Sequence, residues 1–230
     1  MKEKPLTIEE LRAMPPLRTL SDEDMQRLFE TTETLYLNQG DTIFNKDDNS
    51  RSIYVVTEGR AKLLQTDAAG HSMIVRIVGK GDFFGYTALF ADKDYPTSAE
   101  VIENCRLLLI QKEIALHIIS NYIEACLFCI HEIANQLTLS RLNCLLLTHK
   151  QLRGRIAYTL LRMKREHGTN ENGQLNVLLS REEIGKLSNM TTSNAIRTLS
   201  DLQQEKIIKM DGRQISIIDE DKLNHIAVIG

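Results

Sequence analysis

The chain has 230 residues, about one and a half typical domain lengths, which predicts one large or two modest domains. A hydrophobic content of 42% is enough for a folded core, and a formal net charge of −3 by itself indicates neither a nucleic-acid nor a membrane partner. The longest apolar run, Ala125–Ile130, is far shorter than the ~18 residues of a membrane span. The acidic N-terminus lacks the apolar stretch of a signal peptide. We therefore expect a cytoplasmic protein with reduced thiols and no membrane partner.

Charge is divided unevenly along the chain. Residues 149–230 carry 13 Lys and Arg against 10 Asp and Glu, whereas residues 1–148 carry 15 against 21. The net charge is therefore +3 for residues 149–230 and −6 for residues 1–148. This asymmetry predicts an anionic partner for the C-terminal part.

The first 110 residues are predicted to form one domain. Residues 7–30 are typical of short helical pieces interrupted by Pro15-Pro16, and Ser21 with Asp24 forms a plausible capping pair. From about residue 35 to residue 110, short runs of β-branched and aromatic residues alternate with turn residues every 8–12 positions. This pattern predicts a small all-β barrel or roll.

Residues 111–148 contain neither Gly nor Pro and are predicted to form one long helix. Apolar or small residues recur along it in a regular three–four alternation, which is typical of a coiled-coil seam. We expect a second copy of the chain as the partner, the alternative being a helix packed on its own domain. The predicted interface residues are Ile119, Ile123, Cys126, Ile130, Ile133, Leu137 and Cys144.

Residues 149–230 are predicted to form a third domain. An amphipathic helix over residues 154–166 precedes a polar loop at 167–173 and a short strand, QLNVLL. Two helices follow, residues 182–187 and 191–204, the first opening with a capping box at Ser180 and Glu183. The segments KIIKM and QISII then flank Asp211-Gly212, a strong hairpin signal. Two helices followed by a hairpin indicate a winged helix-turn-helix.

In this arrangement the second helix is expected to bury one face and expose a hydroxyl-rich one. The residues expected inside are Ile184, Leu187, Ala195, Ile196 and Leu199, and those expected outside are Thr191, Thr192, Ser193, Asn194, Arg197 and Thr198. Such outward groups can contact phosphates and base edges in the DNA major groove. The alternative is a small helical domain with a threonine-rich solvent face.

Segments spread along most of the chain carry a family resemblance. Residues 154–161 and 179–186, together with Gly40-Asp41, residues 54–59, 81–85 and Leu89-Phe90, resemble the Crp/Fnr superfamily of transcription regulators. The resemblance implies an α+β chain with a cyclic-nucleotide-binding β-roll of the double-stranded β-helix type, a dimerisation helix and a winged helix-turn-helix. It implies a homodimer on a palindromic operator in double-stranded DNA, with RNA polymerase as a further partner, contacted through loop 167–173.

The same resemblance argues against cAMP as the effector. Where cAMP-responsive members carry a Glu and an Arg that hold the ribose and the phosphate, this chain has Tyr86 and Thr97, and without the Arg a buried phosphate has no charged partner. We expect either a different anionic effector held by Arg141, or a filled pocket with Arg141 paired to a surface acid. The predicted pocket residues are Gly85, Tyr86, Thr87, Ala88, Thr97, Ser98, Ser140 and Arg141.

The cysteines bear on the cofactor. Iron–sulfur members of the family carry an N-terminal cysteine cluster, whereas the first 100 residues here contain no Cys, so no such cluster is expected. Cys126 and Cys144 are expected to be small apolar residues of the seam. An interchain disulfide, or a haem or metal ligand set with His131, is the alternative, and the cofactor stays open. This alternative would make the chain a haem- or redox-responsive regulator of the same fold.

Family recognition helices present an Arg-Glu pair and, a turn later, an Arg; the matching residues here are Thr192, Ser193 and Arg197. We expect Arg197 to read a guanine. The complete predicted DNA-binding set is Ser180, Arg181, Thr191, Thr192, Ser193, Asn194, Arg197, Lys209 and Arg213, of which Ser180, Arg181, Lys209 and Arg213 are expected on the DNA backbone. No nucleophile motif or Gly-rich phosphate loop indicates an enzyme. The competing function is a regulatory module that does not bind DNA.

Overall fold

The computed structural model describes residues 5–230 and resolves them into two units. The first unit comprises the chain up to His71 together with Val75–Thr138. The second unit comprises Ser72–Ile74 and Leu139–Gly230.

The first unit begins with two short capped helices. Helix α1 spans Ile8–Arg12, a 3₁₀ turn spans Pro15–Leu17, and helix α2 spans Asp22–Thr31. The Ser21 side chain accepts a hydrogen bond from the Asp24 amide, which satisfies one of the free N–H groups at the start of α2. The predicted interrupted helices and their cap are confirmed.

An antiparallel sheet then forms the predicted β-roll. Its strands pair in the order β1-β6-β3-β4, with β2 on β6 and β5 on β3. Gly59 lies at an irregularity in the β3–β6 ladder with φ +79°, and a Cβ there would lie 2.1 Å from the Asn104 carbonyl oxygen, so only glycine fits. The strand bounds are β1 Glu33–Leu37, β2 Thr42–Phe44, β3 Ser52–Thr66, β4 Ser72–Gly79, β5 Phe83–Phe84 and β6 Ser98–Gln111.

Four aromatic rings fill the inside of the roll. Phe44 stacks on Tyr95 with ring centroids 4.0 Å apart, and Tyr54 stacks on Phe84 at 5.1 Å. The Tyr95 hydroxyl donates to the Ser52 carbonyl at 2.8 Å, so the polar end of this buried ring is satisfied. The roll therefore has an aromatic core. Helix α3 (Tyr86–Ala91) packs against this core through Ala88.

The prediction of one helix over residues 111–148 is wrong. Helix α4 (Lys112–Asn121) and helix α5 (Ile123–His149) meet at a bend of 108°. Tyr122 between them is extended, and its hydroxyl bonds to the Asp24 carboxylate and to the Ser21 amide. The hydrogen bond from Tyr122 lowers the pKa of Asp24, which keeps the carboxylate ionised. Tertiary contacts with α2, rather than a local helix breaker, therefore turn the chain.

The bend also corrects the predicted seam. Ile119 lies on α4 and packs against the core of the first unit, so it is not part of the long helix. Cys126 is half-buried, whereas its neighbour Leu127 is 56% exposed. Among the described residues, seven large apolar side chains of α5 are exposed: Ile123, Leu127, Ile130, Ile133, Leu137, Leu142 and Leu145. We call these seven residues the α5 stripe.

The second unit contains the predicted helices and hairpin. Helix α6 and helix α9 pack closely, since a Cβ on Gly154 would lie 2.5 Å from the Gly230 carbonyl oxygen. The QLNVLL segment forms isolated bridges only, from Leu175 to Thr169 and from Gln174 to Ser216, so the predicted strand is wrong. Alternate residues of the segment are buried, but it has no continuous ladder partner. The elements are α6 Leu152–His167, α7 Arg181–Leu187, α8 Thr192–Gln204, β7 Ile208–Asp211, β8 Gln214–Ile217 and α9 Glu220–Ile229.

No helix within residues 5–230 is by itself long and apolar enough to cross a bilayer; α4 and α5 pass that test only as a bent pair.

A buried ion pair ties α1 to the sheet. The Arg106 guanidinium is fully buried and donates two hydrogen bonds, of 2.6 and 3.1 Å, to the Glu10 carboxylate. It also donates to the Thr57 hydroxyl at 3.2 Å. Removing Glu10 would leave the buried Arg106 cation without its carboxylate partner, which is costly.

We predict that Glu10→Ala lowers the free energy of unfolding of the first unit by about 3 kcal/mol. Urea unfolding measures this loss. Glu9→Ala on the same helix is the control, because Glu9 is exposed, and its effect should stay within ~0.5 kcal/mol. Equal effects of the two substitutions would contradict the prediction.

Candidate functional site

Gly85, one of the predicted pocket residues, is closely surrounded by protein atoms. Gly85 precedes α3 with φ +90°, and a Cβ on it would lie 3.1 Å from the Ser52 carbonyl oxygen and 3.3 Å from the Tyr54 ring. The Tyr95 ring is 3.5 Å from the same point. Protein atoms thus already crowd Gly85 on the side of the aromatic core.

Tyr86, a predicted pocket residue, lies on the side of the roll that faces the helices of the first unit. Its ring is buried among the core residues of the first unit that pack against the helices, whereas Ala88 lies in the aromatic core of the roll. The Tyr86 hydroxyl bonds to Gln136 and, at 3.4 Å, to the Arg76 guanidinium. Burial raises the pKa of Tyr86 to about 12, so it is a neutral phenol at physiological pH.

Arg76 extends this contact into a polar network with α5. Its guanidinium lies 3.2 Å from the Glu132 carboxylate and 3.3 Å from that of Asp82. Arg76 also donates to the Phe83 carbonyl at 3.3 Å. The residue that replaces the family's Glu therefore connects β4 and α3 to the first half of α5.

The remaining predicted pocket residues differ in their exposure and in their hydrogen-bond partners. Thr87 is exposed, Thr97 is half-buried, and the Ser98 hydroxyl accepts a hydrogen bond from the Lys46 amide at 2.9 Å. Ser140 and Arg141 are exposed residues of α5 that belong to the second unit. Within residues 5–230 no acidic side chain forms an ion pair with Arg141, so the expected surface pair is absent there.

The cysteines are free thiols. Cys105 is buried, Cys126 and Cys129 are half-buried and Cys144 is exposed. Burial raises the pKa of Cys129 to about 11, which keeps this thiol protonated and weakly reactive. In the described part of the chain, no three His, Cys, Asp or Glu side chains are placed to hold a metal ion.

Helix α7 begins with the predicted capping box. The Ser180 hydroxyl accepts from the Glu183 amide at 3.1 Å, and the Glu183 carboxylate accepts from the Ser180 amide at 2.8 Å. The Ser180 hydroxyl and the Glu183 carboxylate thus both act as acceptors at the start of α7, and the capping box does not use the hydroxyl hydrogen of Ser180.

Arg181, which is predicted to contact the DNA backbone, also makes a contact within the second unit. It is half-buried and donates to the Gly212 carbonyl at 2.8 Å, at the turn between β7 and β8. Burial lowers the pKa of Arg181, and a second guanidinium nitrogen is buried without a partner. Arg181 therefore braces the hairpin, whose tip residue Arg213 is exposed, as is Lys209 on β7.

Helix α8 presents the predicted polar surface. The Thr191 hydroxyl caps it by accepting from the Asn194 amide at 3.3 Å. Thr192 and Ser193 are exposed at its first turn. Arg197 is exposed one turn later and donates to the Asn194 side-chain oxygen at 3.2 Å, which orients the guanidinium. The first two turns thus carry hydroxyls, an amide and a cation.

Two inward and outward assignments on α8 were wrong. Thr198 is buried, whereas Ile196 is 48% exposed. The buried face is Ala195, Thr198, Leu199 and Leu202, which follows the helical period, so Ile196 falls outside it. Hydrophobicity alone suggested the opposite, and strict period counting from Ala195 and Leu199 would have found the exposed isoleucine.

Two family models match the chain. A cyclic nucleotide-binding domain model matches residues 34–122, and a Crp-like helix-turn-helix domain model matches residues 154–226. Together they cover well over half of the sequence, in the order found in the structure. The chain belongs to the Crp/Fnr family. It is a DNA-binding transcription regulator by family, as the resemblance implied, and the family is not one of enzymes.

Named relatives of this Crp/Fnr member are regulators. The CRP-like cAMP-activated global transcriptional regulator of Mycobacterium tuberculosis is 25% identical over 187 residues, covering 80% of this chain and 84% of the relative. The cyclic AMP receptor protein of Thermus thermophilus is 23% identical, covering 94% and 98%. The structure of FixK2 from Bradyrhizobium japonicum has a TM-score of 0.77 at 22% identity and covers 85% of this chain and 97% of that one. The structural similarity to FixK2 confirms the predicted fold class.

The brace between Arg181 and Gly212 yields a prediction for the hairpin. Arg181→Met keeps the apolar stem and removes the donor, so the amides of residues 208–217 should exchange hydrogen about tenfold faster, equivalent to the ~1.5 kcal/mol of a hydrogen bond from a charged group. Hydrogen–deuterium exchange measures this. Arg213→Met, at an exposed position of the same hairpin, should leave the rates unchanged. Unchanged exchange in Arg181→Met would contradict the assigned brace.

Proposed function

We propose that this chain is a homodimeric, sequence-specific DNA-binding transcription regulator whose effector is not cAMP. The observation that carries the proposal is the exposed surface of α8. Thr192, Ser193 and Arg197 are exposed on this helix, whose opposite face is buried. The first turns of a recognition helix are the part that contacts base edges in the major groove. Arg197 would read a guanine, and Ser180, Lys209 and Arg213 would hold the DNA backbone.

The α5 stripe supports a dimer. Ile123, Leu127, Ile130 and Leu137 follow one another at spacings of four, three and seven residues, and Ala134 fills the remaining position. This is the repeat of a two-helix seam, and exposed apolar surface of this extent is unfavourable in water. A second copy of the chain covers it most simply, because a two-fold axis pairs identical stripes.

The packing around Gly85 supports the absence of cAMP from the usual pocket. The stacked rings of Tyr54, Tyr95, Phe44 and Phe84 occupy the inside of the roll. Thr97, at the position of the family's phosphate-binding Arg, has no charge. The proposed regulator therefore binds its operator without a cyclic nucleotide. The names of relatives that respond to cAMP describe those proteins and not this chain.

A further partner and a cellular location follow from the proposal. The loop at residues 167–173, exposed at 169–173, is the surface that we propose for contact with RNA polymerase. A protein that regulates transcription from chromosomal DNA acts in the cytoplasm of a bacterium, so we propose that location.

Selection of bound sequences from a random DNA pool, with purified protein and no added ligand, tests the proposal. Enrichment of a palindromic motif is the expected result. Enrichment only after addition of small molecules from a cell extract would overturn the ligand-free part. Enrichment in neither case would overturn DNA recognition and favour a module that regulates partners through the roll and α5.

Arg197→Ala is predicted to weaken operator binding by about 1–3 kcal/mol and to relax the preference at one base pair in each half-site. Fluorescence anisotropy on the operator and on random DNA measures both effects. Lys209→Ala is the comparison, because loss of a phosphate contact weakens binding to both DNAs alike. If Arg197→Ala weakened both equally, Arg197 would be a phosphate contact instead.

Leu137→Asp is predicted to weaken the dimer at least about 100-fold, because a carboxylate in an apolar seam is desolvated without a partner. Sedimentation equilibrium measures the association, and operator affinity should fall with it. Asn135→Asp introduces the same charge at an exposed position outside the α5 stripe and should leave the dimer intact. A stable Leu137→Asp dimer would contradict the proposed seam.

A further inference from the structure

Ile196 is an apolar side chain on the polar surface that the proposed function assigns to DNA. It lies on the second turn of α8, three residues after Ser193 and directly before Arg197, and 48% of it is exposed. Residues three and four apart on a helix are neighbours, so Ile196 lies beside Ser193 and Ser200. The isoleucine is thus part of the same surface as the candidate base-contacting residues.

Packing within the second unit does not account for Ile196. The buried face of α8 consists of Ala195, Thr198, Leu199 and Leu202, which lock α8 against its own unit. A β-branched apolar residue is neither needed for helix formation nor favoured in contact with water. Its neighbours on the exposed surface, Thr192, Ser193 and Arg197, are all polar. The exposed apolar surface of Ile196 is therefore available for contact with an apolar group on the ligand.

Duplex DNA offers one apolar group of this kind in the major groove. Thymine carries a 5-methyl group there, whereas the other three bases present only hydrogen-bond donors and acceptors. We infer that Ile196 is a specificity residue that selects thymine through contact with this methyl group. The inference rests on the proposed DNA-binding function.

The position of Ile196 also indicates where the thymine lies. Neighbouring Cα atoms in the chain are 3.8 Å apart, close to the ~3.4 Å separation of base pairs along one DNA strand. Ile196 and Arg197 are consecutive, so the thymine should lie within about two base pairs of the guanine read by Arg197. Each half-site should contain such a thymine.

Replacement of thymine by uracil tests the contact, because uracil lacks only the methyl group. In the operator obtained by selection, each thymine of a half-site is replaced in turn and binding is measured for the wild type and for Ile196→Ala. One replacement near the guanine should weaken wild-type binding about fourfold, the worth of one buried methyl group. Ile196→Ala should bind the unmodified operator more weakly by a similar factor and be insensitive to that replacement.

Three controls separate this result from other causes. Ile196→Val keeps a methyl group on the same surface and should remain sensitive to uracil. Gln203→Ala, exposed two turns further along α8, should behave as the wild type. Affinity of Ile196→Ala for random DNA and its thermal unfolding should be unchanged, since Ile196 is not part of the core.

The outcomes distinguish the inference from the proposed function. If selection yields a motif but no uracil replacement weakens wild-type binding, or if Ile196→Ala stays equally sensitive, the thymine contact is overturned and DNA recognition stands. If no motif is enriched under any condition, the proposed function is overturned and the contact with it.

Discussion

The first unit depends on how its aromatic residues pack. Phe44, Tyr54, Phe84 and Tyr95 form two stacked pairs within the roll, and the Tyr95 hydroxyl closes the cluster on the Ser52 carbonyl. This core stabilises the sheet and crowds Gly85. An interior at native density has few voids larger than a water molecule.

The same unit turns its helical chain through tertiary contacts. Tyr122 has no special backbone requirement, yet its hydroxyl and the Asp24 carboxylate fix the point at which α4 ends. The turn places α4 on the core, and Ala125 in the first turn of α5 is buried there. The residues of the α5 stripe remain exposed to solvent. The network of Arg76, Tyr86 and Gln136 then holds the first half of α5 to the roll. Tyr86 is therefore part of a connection between the roll and α5.

Features that depend on neighbouring residues in the sequence were predictable. The serine cap of α2, the capping box of α7, the Asp-Gly hairpin and the winged helix-turn-helix each depend on a few adjacent residues, and all are present. Other features do not follow from local patterns. The break at Tyr122, the brace from Arg181 to Gly212 and the hydrogen bond between Tyr86 and Gln136 depend on partners 31 to 98 residues away, which no local spacing encodes. Hydrophobicity predicted a buried Ile196 and an exposed Thr198. The helical period, which can be counted in the sequence, predicts the opposite, as the structure has it.

The α5 stripe has a consequence for gene control. If two subunits must meet before either stripe is covered, a subunit made at low concentration is mostly alone, and the amount of dimer rises with the square of subunit concentration. Operator occupancy then responds more steeply to the rate of synthesis than it would for a monomeric repressor or activator. A regulator without a cyclic nucleotide to sense would thus still have an input, namely its own abundance.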